Sequence, residues 1–122
     1  YLDDWNERYR TIAEHYTESL DGFVGVPRHD VSFEEPVYHR YVITYECRDK
    51  LKAALAERGI ESAVNYPIPL HLQRSFSHIG KAEGGYPKAE EVANTCLALP
   101  IFPELKDEEV DYVIQTVREF SL

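Results

Sequence analysis

The sequence contains no methionine at all. A translation product starts with Met, so a chain that starts at Tyr1 is predicted to be a processed product or a piece of a longer protein. Cysteine is scarce too: Cys47 and Cys96 match no CxxC pattern and are too few for the disulfide framework of a small secreted domain. We expect two reduced thiols in a cytoplasmic protein, with a single bridge between them left open.

Long apolar runs and an excess of positive charge are also missing. No hydrophobic stretch reaches the roughly 20 residues of a membrane-spanning helix, and no signal-peptide core opens the chain. The 13 basic and 22 acidic side chains give a formal net charge of −9, which repels nucleic-acid phosphates. We therefore expect neither a membrane nor a nucleic acid as partner. The 122 residues, 43% of them hydrophobic, suit one globular domain over residues 1–122.

Four segments repeat their apolar residues at helical spacing. The first runs from Leu2 to Leu20, the second follows Asp49 and stops at Gly59, the third begins at Pro87, and the fourth follows Asp107. The apolar residues at this spacing in the first segment are Leu2, Trp5, Tyr9, Ile12, Ala13, Tyr16 and Leu20. The predicted inward faces of the others are Leu51, Ala54 and Leu55 in the second, Ala89, Val92, Ala93, Cys96 and Leu97 in the third, and Val110, Val113, Ile114, Val117 and Phe120 in the fourth.

Strand-like segments lie between the helices. Residues 37–45 are dense in β-branched and aromatic side chains, which is the strongest strand signal in the chain. Residues 60–66 are predicted as a second strand, while 98–102 and the stretch around Val24 and 31–33 are weaker candidates. This order predicts an α+β fold, a small sheet backed by helices on at least one face.

The long irregular passage between the second and third helices is the candidate binding segment, because structureless loops of about 20 residues in compact domains are usually functional or mobile. Pro67 and Pro69 fix the backbone there and hold Tyr66 and His71 at a defined separation. A phenol and an imidazole displayed in this way can bind phosphate or sugar hydroxyls. A rigid turn with a partly exposed histidine explains the same pattern equally well.

The residues give little indication of a metal site or of a catalytic group. His71 and His78 have no carboxylate or cysteine at a supporting spacing, so they match no zinc signature. His39 lies in the strongest predicted strand, where a structural role is more common than a catalytic one. The lysines lie in polar or helix-surface settings, without the apolar surroundings that Schiff-base chemistry requires. The residues alone therefore indicate a binding loop and no catalytic set.

A series of short motifs runs along nearly the whole chain. It comprises residues 6–8 (NER), 13–16 (AEHY), 37–43 (VYHRYVI), 48–51 (RDKL), 55–60 (LAERGI), 66–73 (YPIPLHLQ), 97–103 (LALPIFP) and 107–110 (DEEV). In this order the series resembles the C-terminal region of the DegT/DnrJ/StrS family, enzymes that use pyridoxal phosphate (PLP) and act on nucleotide-linked keto sugars.

The resemblance implies the small C-terminal domain of a type I PLP-dependent transferase, with a mainly antiparallel sheet backed by helices. PLP would then be held by an N-terminal large domain absent from this chain, and the fragment alone would bind no PLP and be inactive. The intact enzyme is expected to be a homodimer. By position, Tyr66, His71 and His39 are the expected substrate contacts. Relatives often have His before the Tyr-Pro pair, where this chain has Asn65.

The function implied by the resemblance is transfer of an amino group, from glutamate, to a nucleotide-linked keto sugar. Two alternatives remain: a dehydratase of the same family, with His replacing the PLP lysine, and a stand-alone small-molecule-binding or dimerisation module. The first helix distinguishes the module from the fragment. A fragment leaves the stripe formed by Trp5, Tyr9, Ile12 and Tyr16 partly uncovered, whereas a self-contained module buries it completely.

Overall fold

The computed structural model describes residues 1–28, 35–80 and 82–122, and these residues contain four α-helices and two short strands. Each helix lies where the apolar periodicity predicts one, within a few residues. The elements are α1 (Leu2–Leu20), β1 (Tyr41–Thr44), α2 (Arg48–Glu57), two short 3₁₀ turns (Leu70–Leu72 and Arg74–Ile79), α3 (Pro87–Thr95), β2 (Cys96–Leu99) and α4 (Asp107–Ser121).

The two strands pair in antiparallel fashion, with Tyr41 opposite Leu99 and Thr44 opposite Cys96. A single bridge between Ala63 and Ala98 adds a short contact on the other side of β2. All four residues of β2 are buried, because elements cover both of its faces. The architecture is α+β, as expected: helices and a small antiparallel sheet.

Gly25 pairs with the end of β1 at very close range. Its backbone N–H and C=O both hydrogen-bond to Thr44, at 2.8 and 2.9 Å. A Cβ at position 25 would lie 2.1 Å from the Thr44 side-chain oxygen, so only glycine fits without a shift of Thr44.

The core lies between the sheet and helices α1, α2 and α4. Tyr16 of α1 and Tyr41 of β1 are fully buried, with their ring centroids 5.0 Å apart. Tyr16 donates to the backbone oxygen of Pro100 at 2.8 Å, and Tyr41 shares a 2.9 Å hydrogen bond with Thr17. Burial is the main cause that raises the pKa of Tyr41 to about 12, so this phenol stays neutral and serves the core.

The strands differ from the predicted ones in extent. Residues 37–40 were predicted as strand, but β1 begins only at Tyr41, because Tyr38 adopts a left-handed backbone with φ 52°. Residues 60–66 form no regular strand and contribute only the bridge at Ala63. The third predicted segment, 98–102, is displaced to β2, which ends before Pro100. Residues 31–33 lie outside the described residues.

The buried face predicted for the third helix is partly wrong. Cys96 and Leu97 belong to β2, because they pair with β1 across the sheet. Ala89 and Val92 are exposed, and within α3 only Ala93 is buried. Little apolar packing therefore holds α3, and its exposed Ala89 and Val92 line a groove shared with residues 66–73.

Both cysteines are free thiols: Cys96 is buried in β2 and Cys47 is exposed just before α2. Among the residues that the structure describes, no helix combines the length and hydrophobicity needed to cross a membrane.

Candidate functional site

An open groove of about 690 Å³ lies between α3 and the segment 66–73. Its size falls in the usual range for a small-molecule site, and most of its wall is apolar. The main contributors are Tyr66, Ile68, Leu70, His71, Ile79, Tyr86, Lys88, Ala89 and Val92.

His71 is the buried polar residue of this groove. The residue is 8% exposed, and its ring meets the edge of Tyr86 with the ring centroids 4.9 Å apart. Its Nε2 lies 2.8 Å from Oε1 of Glu90, a residue in the first turn of α3. The imidazole is thus held between the loop and the helix.

The carboxylate of Glu90 accepts hydrogen bonds from several donors at the start of α3. Besides His71, its carboxylate accepts the backbone N–H of Gly84, at 2.8 and 3.0 Å to its two oxygens, and that of Tyr86 at 3.4 Å. The Gly84 N–H, followed by the His71 bond, holds the pKa of Glu90 below its ordinary value of 4.5. Glu90 is therefore an ionised acceptor at neutral pH.

Tyr66 lies on the same groove and is 69% exposed. Beside it, the Nδ2 atom of Asn65 is buried and has no hydrogen-bond partner among the described residues. Such a donor is uncommon, because buried donors are nearly always paired. The structure thus places Tyr66 and His71 on one groove, and Asn65 is not among the residues that line it.

His39 lies elsewhere. It is exposed, just before β1, and lines a second groove of about 580 Å³ with Arg40, Ser62 and Tyr112. The structure therefore does not place His39 in the groove of Tyr66 and His71.

Arg48 fixes the other end of α3. Its side chain is 9% exposed, and its Nη1 donates to the backbone oxygens of Ala93 at 3.2 Å and Cys96 at 2.8 Å. These carbonyls lie at and just past the C-terminal end of the helix, where they lack intrahelical donors. Arg48 at one end and Glu90 at the other thus hold a helix that buries little apolar surface.

The residue that organises the groove, Glu90, was not among the predicted site residues. A glutamate on a helix surface carries no signal by itself, and its side-chain partner His71 is 19 positions away in sequence. The glycines just before Pro87 were the available sign of a turn that presents backbone N–H groups to the helix.

The model of the DegT/DnrJ/EryC1/StrS aminotransferase family matches residues 1–118, nearly the whole chain. The chain belongs to this family.

Relatives and solved structures agree with that assignment. The chain is 44% identical over 98% of its length to a "pleiotropic regulatory protein" of Geobacillus stearothermophilus. It is 35% identical over 99% of its length to the dTDP-3-amino-3,4,6-trideoxy-alpha-D-glucose transaminase of Streptomyces venezuelae. A crystal structure of S. venezuelae DesV in complex with a ketimine intermediate superimposes over 98% of the chain, with a TM-score of 0.93 and 36% identity.

The chain spans about a third of the length of these family members: 33% of the first relative, 32% of the second and 33% of the DesV chain. The matched part is the chain nearly from end to end, so two thirds of each family member has no counterpart here.

The described lysines do not fit the PLP-binding role in this family. Lys50, Lys52 and Lys106 are exposed on the surface, and Lys88 stands at the rim of the groove with its side chain 94% exposed. A lysine that forms a Schiff base normally lies in apolar surroundings or beside another cation. No step of PLP chemistry is therefore assigned to the described residues.

The first helix shows the surface expected of a family fragment. Ile12 and Tyr16 are buried, but Trp5 is 49% exposed, and Tyr9 is only partly covered. The apolar stripe is thus uncovered over its first turns, which a self-contained binding module is not expected to leave open.

Proposed function

We propose that this chain forms one wall of the substrate cleft in a PLP-dependent aminotransferase that transfers an amino group from glutamate to a nucleotide-linked keto sugar. The observation that carries the proposal is the groove that Tyr66 and His71 both line. The relatives of this chain include a transaminase of a dTDP-linked sugar.

In this proposal the groove recognises the nucleotide-sugar substrate. Its apolar wall, with Ile68, Leu70 and Val92, suits the flat faces of a sugar ring or a base, and about 690 Å³ is enough to hold part of a nucleotide-sugar. Tyr66 and His71 offer hydrogen-bonding groups in its wall. The role of these residues is to bind and orient the substrate.

The remaining parts of the enzyme lie outside this chain in the proposal. PLP supplies the amino-group chemistry, and an upstream large domain holds it and packs against the exposed start of α1. The intact enzyme is a cytoplasmic homodimer in this proposal. His39 contributes a contact only if the substrate, or the large domain, extends to the second groove.

The test is a kinetic comparison in the intact enzyme. His71→Ala and Tyr66→Phe are expected to raise KM for the nucleotide-sugar about tenfold or less while kcat changes little, because each removes a binding contact worth about 1 kcal/mol. The matched controls are His78→Ala and Tyr1→Phe, since neither residue lines the groove. A loss confined to kcat, or no effect of either variant, would contradict the proposed role of the groove.

A further inference from the structure

The buried His71 and the partly buried Glu90 form a hydrogen-bonded pair whose proton position can be deduced from chemistry. We propose that Glu90 is a positioning residue that fixes the tautomer of His71, so that the neutral ring presents Nδ1 as an acceptor to a hydroxyl of the bound sugar. This inference rests on the proposed function for the identity of the ligand, but the tautomer itself does not.

The tautomer follows from the partners of Glu90. An ionised carboxylate has no proton to donate, and Glu90 is kept ionised by the N–H groups of Gly84 and Tyr86 as well as by His71. At a separation of 2.8 Å the proton of the His71–Glu90 bond must therefore reside on Nε2 of the imidazole. In a neutral ring the other nitrogen, Nδ1, then carries a lone pair and no proton.

The tautomer of His71 with its proton on Nε2 determines which kind of ligand group the ring can bind. A lone pair on Nδ1 accepts a hydrogen bond from a hydroxyl, whereas phosphate oxygens are acceptors and gain nothing from it. The His71 side chain is only 6% exposed, so a small part of the ring meets a ligand, and Nε2 is already occupied. Of the two ligand groups that a histidine here is able to recognise, the sugar hydroxyl fits and the diphosphate does not.

The same carboxylate also fixes the surroundings of the ring. Through the N–H groups of Gly84 and Tyr86 it holds the turn before α3, and Tyr86 in turn packs its ring against His71. Glu90 thus sets both the orientation of the imidazole and the position of the side chain beside it.

The first experiment reads the proton directly in the 122-residue chain. Long-range ¹H–¹⁵N spectra at pH 8 are expected to show His71 protonated at Nε2 only, with a resolved Nε2 proton. Glu90→Ala is expected to lose that resolved proton, and the neighbouring control Glu91→Ala, whose side chain pairs only with Lys88 among the described residues, is expected to keep it.

Two results would overturn the inference in this experiment. One is a native His71 that carries its proton on Nδ1, or on both nitrogens, at pH 8; this arm needs no variant and holds even if Glu90→Ala fails to fold. The other is a folded Glu90→Ala chain, verified by circular dichroism, whose Nε2 proton is as well resolved as in the native chain.

The second experiment identifies the ligand group in the intact enzyme. His71→Gln is expected to raise KM for the nucleotide-sugar about fivefold, the equivalent of one hydrogen bond, and to leave inhibition by the free nucleoside diphosphate within twofold. Equal weakening of both ligands would refute the hydroxyl assignment while leaving the proposed function intact. An intact enzyme that turns over no nucleotide-sugar would refute the proposed function, and the tautomer measurement would still decide the role of Glu90.

Discussion

Replacing Arg48 by Met tests whether polar contacts hold the helix that carries the groove. The substitution keeps an unbranched side chain of similar reach but removes the guanidinium that donates to the backbone oxygens of Ala93 and Cys96. Because α3 buries only Ala93 among its own residues, little else compensates for the loss.

The magnitude follows from the two carbonyls left without a donor. A buried polar group that loses its partner costs about 1–3 kcal/mol, so two of them cost about 3 kcal/mol after allowance for non-additivity. The bond from Arg48 to Asp49 adds little, since the Asp49 side chain is 86% exposed. For a domain of this size the expected loss lowers Tm by about 12 °C.

The assay is thermal unfolding followed by circular dichroism, with Arg58→Met as the matched control. Arg58 and its partner Glu119 are both nearly half exposed, so this control is expected to change the stability much less than Arg48→Met does. Hydrogen exchange of the α3 amides is expected to quicken in Arg48→Met and not in Arg58→Met. If both variants lower Tm by the same few degrees, the reasoning about α3 is refuted.

Three further predictions follow from other contacts. Gly25→Ala is expected to destabilise the chain by about 1–3 kcal/mol, because its Cβ would meet the Thr44 hydroxyl at 2.1 Å, and Thr44→Ala in the same chain should recover most of the loss in a urea titration. Because the pKa of Glu90 is lowered, its stabilising contribution is complete above pH 4.5 and is lost as the pH falls below that value. The acid-induced loss of stability should therefore be smaller in Glu90→Gln than in the native chain. An identical loss in both would contradict the hydrogen bonds assigned to Glu90. The 122-residue chain mixed with PLP is expected to show no visible band from bound cofactor, and a borohydride-reducible adduct on one specific lysine would count against the account.

The helices were predictable because each one carries its information locally. The repeat of apolar residues at three- and four-residue steps, with Gly59 in a left-handed conformation after α2 and Pro87 at the start of α3, locates them to within a few residues. The sheet was less predictable because its pairing is not local. The β2 residues Cys96 and Leu97 continue the helical spacing of α3, and only their pairing with β1 makes them strand.

The site could be predicted only in part, because local sequence patterns locate its loop but do not encode contacts between distant residues. Pro67 and Pro69, between Tyr66 and His71, indicate a rigid segment, and both Tyr66 and His71 line the groove. His39 lies outside β1 because the left-handed backbone of Tyr38, with φ 52°, delays the start of the strand to Tyr41. The contribution of Glu90 depends on a contact across 19 residues that no local pattern encodes.

Isotope transfer in the intact enzyme tests the central claim most directly. The enzyme is incubated with PLP, ¹⁵N-glutamate and a dTDP-linked keto sugar, and the products are analysed by mass spectrometry. The account predicts a ¹⁵N-amino sugar nucleotide formed together with an equal amount of 2-oxoglutarate, at a rate that falls at sub-saturating sugar when His71 is replaced by Ala. No transfer of ¹⁵N to any nucleotide-linked keto sugar, or transfer that is indifferent to both Tyr66 and His71, would contradict it.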